Sequence, residues 1–163
     1  MQGKPVLQHT LDNVRATGFD FCVVARPEDL ELHGFMAQER IVTCSSEGLG
    51  ESIAAGVSAT AEYDGWLITL ADMPFITPSS YQKVAHALRN SPLVRARIKG
   101  MQGHPVGFQQ SFYPQLCALK GDRGARELLN ADALTVVDLS DRGCITDIDT
   151  AEDLTRCNQD PYL

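Results

Sequence analysis

The residue best placed to do chemistry is Asp72, a carboxylate that follows a short apolar segment and precedes a proline. Residues 66–71 lack polar–apolar alternation, which is typical of a strand buried on both faces of a parallel sheet. Pro74 prevents that strand from continuing, so Asp72 is expected at its carboxyl end, where open α/β sheets bind ligands. Two interpretations stay open from these residues alone: Asp72 ligates a hard cation such as Mg²⁺, or it only caps a turn.

Further carboxylates, Asp147 and Asp149, come at the end of a second short apolar segment, residues 145–148. Asp149 stands directly before a predicted helix cap at Thr150, so a turn residue is the alternative interpretation. Two carboxylates from strand ends on one edge of a sheet could hold one Mg²⁺, with substrate phosphates and water as the other ligands. Such a site suits phosphoryl or nucleotidyl transfer, in which catalysis is mostly positioning and neutralisation of charge.

A loop of small residues, 45–52, contains Gly48, Gly50 and Ser52 ahead of a predicted helix at 53–57. Glycines before a helix N-terminus let a ligand approach the backbone closely, although an ordinary turn is the favoured interpretation for the glycines alone. His104 lies in a predicted turn, where a lone histidine is more often structural. The sequence has no Walker-type loop and no Gly-x-Gly-x-x-Gly loop.

The elements that must position these residues alternate between helix and strand through the first half of the chain. We therefore predict an α/β sandwich with mostly parallel strands. Periodicity and cap signals predict helices at 5–18, 28–37, 53–57, 77–88, 112–119 and 121–129, and a last one from Thr150. Apolar runs predict strands at 21–25, 40–44, 66–71, 93–99, 105–109, 135–139 and 145–148, with a turn at 100–103. The helix that begins at Thr77 and Pro78 has Tyr81, Val84, Ala85 and Leu88 on its apolar face.

Bulk composition limits the function. A chain of 163 residues that is 44% hydrophobic is expected to form one domain with a sizeable core. The net charge of −7 argues against a nucleic-acid partner, but it allows a small anionic substrate where a metal supplies positive charge. We expect no membrane association, because no apolar run reaches the roughly 18 residues of a bilayer span and the N-terminus is not a signal peptide. Five widely spaced cysteines suit reduced thiols in the cytoplasm.

Taken together, five motifs in order resemble those of the MobA-like nucleotidyltransferases, and most closely the molybdenum cofactor cytidylyltransferases. The fourth motif, in two parts, looks like the cytidylyltransferase branch more than the guanylyltransferase branch. The five motifs are residues 3–9, 48–57, 70–74, 103–105 with 121–129, and 147–154.

The resemblance implies a Rossmann-like three-layer sandwich of the nucleotide-diphospho-sugar transferase type. It also implies transfer of CMP from CTP to a phosphorylated acceptor, the molybdopterin cofactor, with release of pyrophosphate. The implied roles are Mg²⁺ binding for Asp72 and Asp149, nucleoside contact for Gly48, Gly50 and Ser52, and acceptor binding for His104, Arg123 and Arg126.

This family begins with a strand and a glycine-rich loop that cradles the triphosphate, and the sequence as given starts after that element. The domain, residues 1–163, is therefore expected to be N-terminally incomplete, with the first strand missing from its sheet. The neighbours of that strand would carry unpaired backbone groups and exposed apolar surface, so a homodimer that pairs these edges is one expected assembly. The alternatives are a guanylyltransferase that uses GTP, and a non-catalytic homologue that binds a nucleotide or a protein.

Overall fold

The computed structural model describes residues 6–28, 40–45, 48–121, 125–130 and 134–148. The α-helices in these ranges are α1 (Val6–Arg15), α2 (Leu49–Ala59), α3 (Pro78–Leu88) and α4 (Tyr113–Cys117). The strands are β1 (Cys22–Ala25), β2 (Arg40–Thr43), β3 (Gly65–Ile68), β4 (Leu93–Ile98), β5 (Met101–Gln109) and β6 (Leu134–Asp138). Short 3₁₀ segments follow at Gln110–Phe112, Leu128–Asn130 and Arg142–Ile145. None of the helices in the described ranges has the length and apolar character needed to cross a bilayer.

The larger sheet has four strands in the order β3-β5-β4-β6. Strand β5 runs antiparallel to both of its neighbours, whereas β4 and β6 are parallel. Strands β3, β4 and β6 therefore point the same way, and their carboxyl ends meet at one edge. The expectation of a Rossmann-like α/β sheet is confirmed, with β5 as a reversed strand that pairs with β4 across the turn predicted between 93–99 and 105–109.

The turn between β4 and β5 is shorter than predicted. Lys99 and Gly100 both have positive φ, at 50° and 81°, which is the geometry of a two-residue hairpin turn that matches the twist of the strands. Strand β5 consequently starts at Met101, and the prediction of a turn at 100–103 that continues to His104 was wrong. His104 lies inside a strand.

The smaller sheet pairs β1 with β2 in parallel, from Cys22 opposite Arg40 to Ala25 opposite Thr43. Among the described residues, no strand joins this sheet to the larger one. A cavity of about 1140 Å³ lies between β1 and β3, and residues of α1, α2 and α3 also line it. One edge each of β1 and β3 faces this cavity.

Side chains along the strands of the larger sheet alternate between its two faces. Helices cover both of these faces. On one face α3 packs Tyr81 and Val84 against β4, as its sequence pattern predicted. The other face is covered by α2 and α4. Its buried core consists of Ile53, Val57, Leu93, Val106, Phe108 and Leu116. Thr77 caps α3 as predicted, because its hydroxyl accepts a hydrogen bond from the Ser80 amide at 3.3 Å.

Other predicted elements differ from the structure. The strand predicted at 145–148 is absent: a 3₁₀ segment ends at Ile145, and irregular chain follows. The reason is local turn chemistry, since the Asp141 carboxylate accepts a hydrogen bond from the Gly143 amide at 3.0 Å and starts that turn. Helix α2 begins at Leu49, four residues before the predicted start at Ile53.

The helix predicted at 121–129 is also wrong in its described part, where 125–130 contains only a 3₁₀ turn. The predicted helix at 28–37, apart from Glu28, and the last helix from Thr150 lie outside the described residues.

Candidate functional site

Asp72 lies in a tight turn beyond the carboxyl end of β3, and α1 holds this turn from the side. The Thr10 hydroxyl donates to the Ala71 carbonyl at 2.7 Å, and the Asn13 amide nitrogen donates to the Pro74 carbonyl at 2.8 Å. These two hydrogen bonds bracket Asp72 in the sequence. Because both donors belong to one helix, they fix the backbone that carries the carboxylate.

The segment that carries the second acidic motif meets Asp72 through the backbone. The Ile148 amide donates to the Asp72 carbonyl at 2.8 Å, and the Ile148 side chain is buried. Asp147 is exposed on one side of this contact, and Asp149 follows Ile148 in sequence but lies outside the described residues. The structure therefore brings the described end of this segment, Asp147 and Ile148, beside the turn of Asp72.

The chemistry of these donors suits a hard divalent cation. Carboxylate oxygens are the ligands that Mg²⁺ and Mn²⁺ prefer, and Mg²⁺ is commonly held by one or two carboxylates with water and substrate phosphates. The described residues contain no group of three or more histidine, cysteine, aspartate or glutamate side chains that could hold a metal. The residues present fit a cation that is shared with a phosphorylated substrate.

The glycine-containing first turn of α2 contacts the turn after α4. The Gly50 amide donates to the Gly121 carbonyl at 2.8 Å. A Cβ at position 50 would lie 2.9 Å from the carbonyl oxygens of Lys120 and Gly121, so only glycine fits there. The hydroxyl of Ser52, one turn further on, donates to the Gly48 carbonyl at 3.3 Å. The segments predicted to bind nucleoside and acceptor therefore lie side by side, and the Gly50 amide is already used between them.

His104 lies on β5, near Arg95 of β4. Burial, and secondly the positive charge of Arg95, lower the pKa of His104 from 6.5 to about 4, so the imidazole is neutral at pH 7. Of the two predicted acceptor-side arginines, Arg126 is exposed and Arg123 lies outside the described residues. Because its imidazole is neutral, His104 can donate or accept a hydrogen bond.

Sequence reasoning missed Asp141, which lies ahead of Asp147 and joins this part of the chain to α3. Its Oδ2 atom accepts from the Thr77 amide at 2.9 Å and from the Ser80 hydroxyl at 2.7 Å, while Oδ1 accepts from Gly143. The signal in the sequence was an aspartate two residues before a glycine, a common turn pattern. Its long-range bonds to the start of α3 had no sequence signal.

Arg95 was also missed. It was included in a predicted apolar strand, and the available signal was a charge at a position whose neighbours in the strand are apolar. Its relative exposure is only 9%.

Comparison with known proteins assigns the chain to a family. Residues 1–136 match the MobA-like NTP transferase domain. The chain belongs to this family of nucleotidyltransferases. It is 32% identical over 114 residues to the purine catabolism protein PucB of Bacillus subtilis (strain 168), which covers 67% of this chain and 55% of PucB. The chain thus spans about half the length of that curated relative.

Solved structures share the fold. Rv0371c of Mycobacterium tuberculosis H37Rv superposes with a TM-score of 0.82 at 22% identity, over 98% of this chain and 86% of that one. Another crystal structure of Rv0371c is a complex with manganese. The molybdopterin-guanine dinucleotide biosynthesis protein A of Archaeoglobus fulgidus has a TM-score of 0.71 at 16% identity, over 98% of this chain and 89% of that one. At these identities the likeness concerns the fold.

Proposed function

We propose that this chain transfers CMP from CTP to a phosphorylated acceptor, the molybdopterin cofactor, and releases pyrophosphate. The observation that carries the proposal is the 2.8 Å hydrogen bond from the Ile148 amide to the Asp72 carbonyl. It sets the two acidic segments of the chain next to each other at the carboxyl end of β3, where open α/β sheets bind their ligands. The cytidylyltransferase-type motifs at 103–105 and 121–129 favour CTP over GTP.

In this proposal Asp72 and Asp149 are the residues that would hold Mg²⁺ at the substrate phosphates. The cation, when bound, neutralises the negative charge that accumulates on the phosphates during transfer. Thr10 and Asn13 keep the Asp72 turn in place, since their bonds to its carbonyls do not depend on the ligand. The role of the protein in this proposal is to position the reacting groups, and proton transfer contributes less, as is typical of phosphoryl transfer.

The nucleoside lies against Gly48, Gly50 and Ser52 in this proposal, and the acceptor lies against His104 with Arg123 and Arg126. The contact between Gly50 and Gly121 supports this arrangement, because Gly121 begins the acceptor-type motif at 121–129 and touches the first turn of α2. Arginine is suited to an anionic acceptor, since its planar guanidinium donates two parallel hydrogen bonds to a phosphate.

Two other functions have some support. A guanylyltransferase of the same fold is favoured by the likeness to the Archaeoglobus protein, whose name refers to a guanine dinucleotide. A non-catalytic binding module is favoured by the cavity between β1 and β3, whose volume of about 1140 Å³ is slightly above that of pockets that bind small molecules, roughly 300–1,000 Å³.

The deciding experiment measures pyrophosphate release by the purified chain with Mg²⁺, molybdopterin and either CTP or GTP. Release that requires CTP supports the proposal, and release that requires GTP supports the guanylyltransferase. Binding of a nucleotide without release from either supports the binding module. Absence of both binding and release contradicts all three.

The Asp72→Asn variant tests the metal site in the same assay. We expect at least about a hundredfold loss of release, by analogy with removal of one group that stabilises transition-state charge, and weaker Mg²⁺-dependent nucleotide binding. Asp64→Asn is the matched control, because Asp64 is an exposed carboxylate directly before the opposite end of β3. Unchanged nucleotide binding by Asp72→Asn would remove Asp72 from the metal site.

A further inference from the structure

Two arginines on β4 have very different partners. Arg97 forms a two-point ion pair with Asp138, in which Nε and Nη2 lie 2.7 and 2.9 Å from the two carboxylate oxygens. In the part of the chain that the structure describes, the partners of Arg95 are neutral: Nη1 donates to Gln102 Oε1 at 3.2 Å, and Nη2 donates to the Gly103 carbonyl at 3.1 Å. Its buried Nε has no hydrogen-bond partner, and no carboxylate among the described residues forms an ion pair with it.

This arrangement is unfavourable for an arginine in the absence of an anion. A guanidinium stays charged and offers five N–H donors, and a buried charge normally has an opposite charge beside it. Arg95 is 9% exposed, and the same burial lowers its pKa. An anion bound to the unused N–H bonds would supply the compensation that Asp138 supplies to Arg97.

The contacts of Arg95 lead toward the Asp72 turn. Its partner Gly103 packs so closely on the Cys144 carbonyl and on Ile145 that a Cβ at position 103 would clash. Three residues beyond Ile145, Ile148 bonds to Asp72. Gly103, to which Arg95 donates, therefore packs on the segment that leads to Ile148.

Arg95 also faces the side of the sheet that α2 covers. Alternation along β4 places it on the same face as Leu93, which packs with Ile53 and Val57 of α2. His104 is close enough for the charge of Arg95 to lower its pKa. The group next to the buried cation is therefore a neutral imidazole, which can donate a hydrogen bond to an anion without competing for it.

We propose that Arg95 binds the phosphate of the acceptor, with neutral His104 beside it as a second hydrogen-bond donor. The inference rests on the proposed function for the identity of the acceptor, but the anion site itself follows from Arg95. A phosphate monoester can accept the Nε–H and a neighbouring Nη–H together.

Phosphate binding can be measured without any turnover. Inorganic phosphate is titrated into the full chain while the His104 ring protons are followed by NMR. In the wild type we expect saturable shifts and a rise in the pKa of His104, because the bound anion offsets the charge of Arg95. In Arg95→Lys, which keeps the charge but loses the fork, phosphate affinity should fall at least about tenfold, the effect of one charged hydrogen bond. Arg95→Gln should abolish the shifts.

Arg97→Lys is the matched control, since Arg97 lies on the same strand and already has Asp138 as its partner. Its phosphate affinity should stay within about twofold of the wild type. The thermal unfolding midpoint of each variant shows that it is folded. Equal phosphate affinity in the wild type, Arg95→Lys and Arg95→Gln would overturn the proposal and leave Arg95 a structural residue.

Steady-state kinetics distinguishes a failure of this proposal from a failure of the proposed function. With active enzyme, Arg95→Lys should raise the KM for the acceptor about tenfold or more and leave the KM for CTP within about twofold. Equal changes in both KM values would contradict acceptor binding by Arg95. If the wild type releases no pyrophosphate but binds phosphate through Arg95, the proposed reaction fails and the anion site stands.

Discussion

The larger and the smaller sheet of this chain differ in how completely they are enclosed. Strand β4 has a partner on both edges, and Leu93, Val94, Ala96 and Ile98 are completely buried. Strand β1 pairs only with β2 among the described residues, and its other edge faces the cavity, so most of its side chains are half-buried. The Asp72 turn follows β3, the strand of the larger sheet whose outer edge also faces the cavity, and Cys144 and Ile145, ahead of Ile148, pack on Gly103 of β5. The candidate site is therefore attached to the larger sheet at the strand that forms its open edge.

The largest effect on stability should come from truncating one phenylalanine of the larger sheet, compared with the same truncation beside the cavity. Phe108 of β5 is 0% exposed, whereas Phe19 beside the cavity is 41% exposed. Phe108→Ala should lower the free energy of unfolding by about 3–5 kcal/mol because it leaves a cavity in a packed core. Phe19→Ala should cost less than about 1 kcal/mol. Denaturant titration measures both, and equal losses would show that the two regions are equally well packed.

His104 should make the enclosed sheet sensitive to acid. Its pKa is about 4 in the folded chain and near 6.5 when unfolded, so the unfolded state binds the extra proton between these values. Stability should therefore fall as the pH drops from 6.5 to 4, by about 2–3 kcal/mol from this group alone. The decrease should be smaller in His104→Gln and unchanged in His86→Gln, where the replaced side chain is exposed. The same pH dependence in all three proteins would contradict the assignment to His104.

Asp141 attaches the chain ahead of Asp147 to α3, and its contribution to stability can be compared with that of Asp138. Asp141→Ala removes several hydrogen bonds to a carboxylate, including those from Thr77 and Ser80, and should cost about 2 kcal/mol. Asp138→Ala removes only an exposed ion pair with Arg97 and should cost less than about 1 kcal/mol. Unfolding curves for the two variants test the difference, and a smaller loss for Asp141→Ala would mean that the segment is held by other contacts.

Hydrogen exchange gives the smallest but most local test. Backbone amides of β4, which has a hydrogen-bonded strand on each side, should exchange with solvent mainly when the whole chain unfolds. Amides of β1 and β2 should exchange more readily, through local opening. We expect protection of Val94 and Ala96 to exceed that of Val23 and Val24 by at least about tenfold, which corresponds to roughly 1.4 kcal/mol. Equal protection would mean that the two sheets unfold as one unit.

Much of the fold could be predicted where the signal is local. Thr77 followed by Pro78 marks the start of α3, and Pro74 ends the extended chain before it, because caps and prolines act over a few residues. The position of Asp72 beyond a strand followed from the same signals. By contrast, the turn before His104 was misplaced because Lys99 adopts a positive φ, a conformation that its residue type does not favour.

The sequence by itself determined the family, the order of the main elements and the two acidic motifs. Only the tertiary structure decided that Ile148 bonds to Asp72, that Gly50 touches Gly121, and that Arg97 has a carboxylate partner while Arg95 has none within the described ranges. The physical reason is range. Caps, turns and side-chain alternation depend on neighbours in the chain, whereas the partner of a buried charge or of a backbone amide depends on which distant segments the packed core brings into contact.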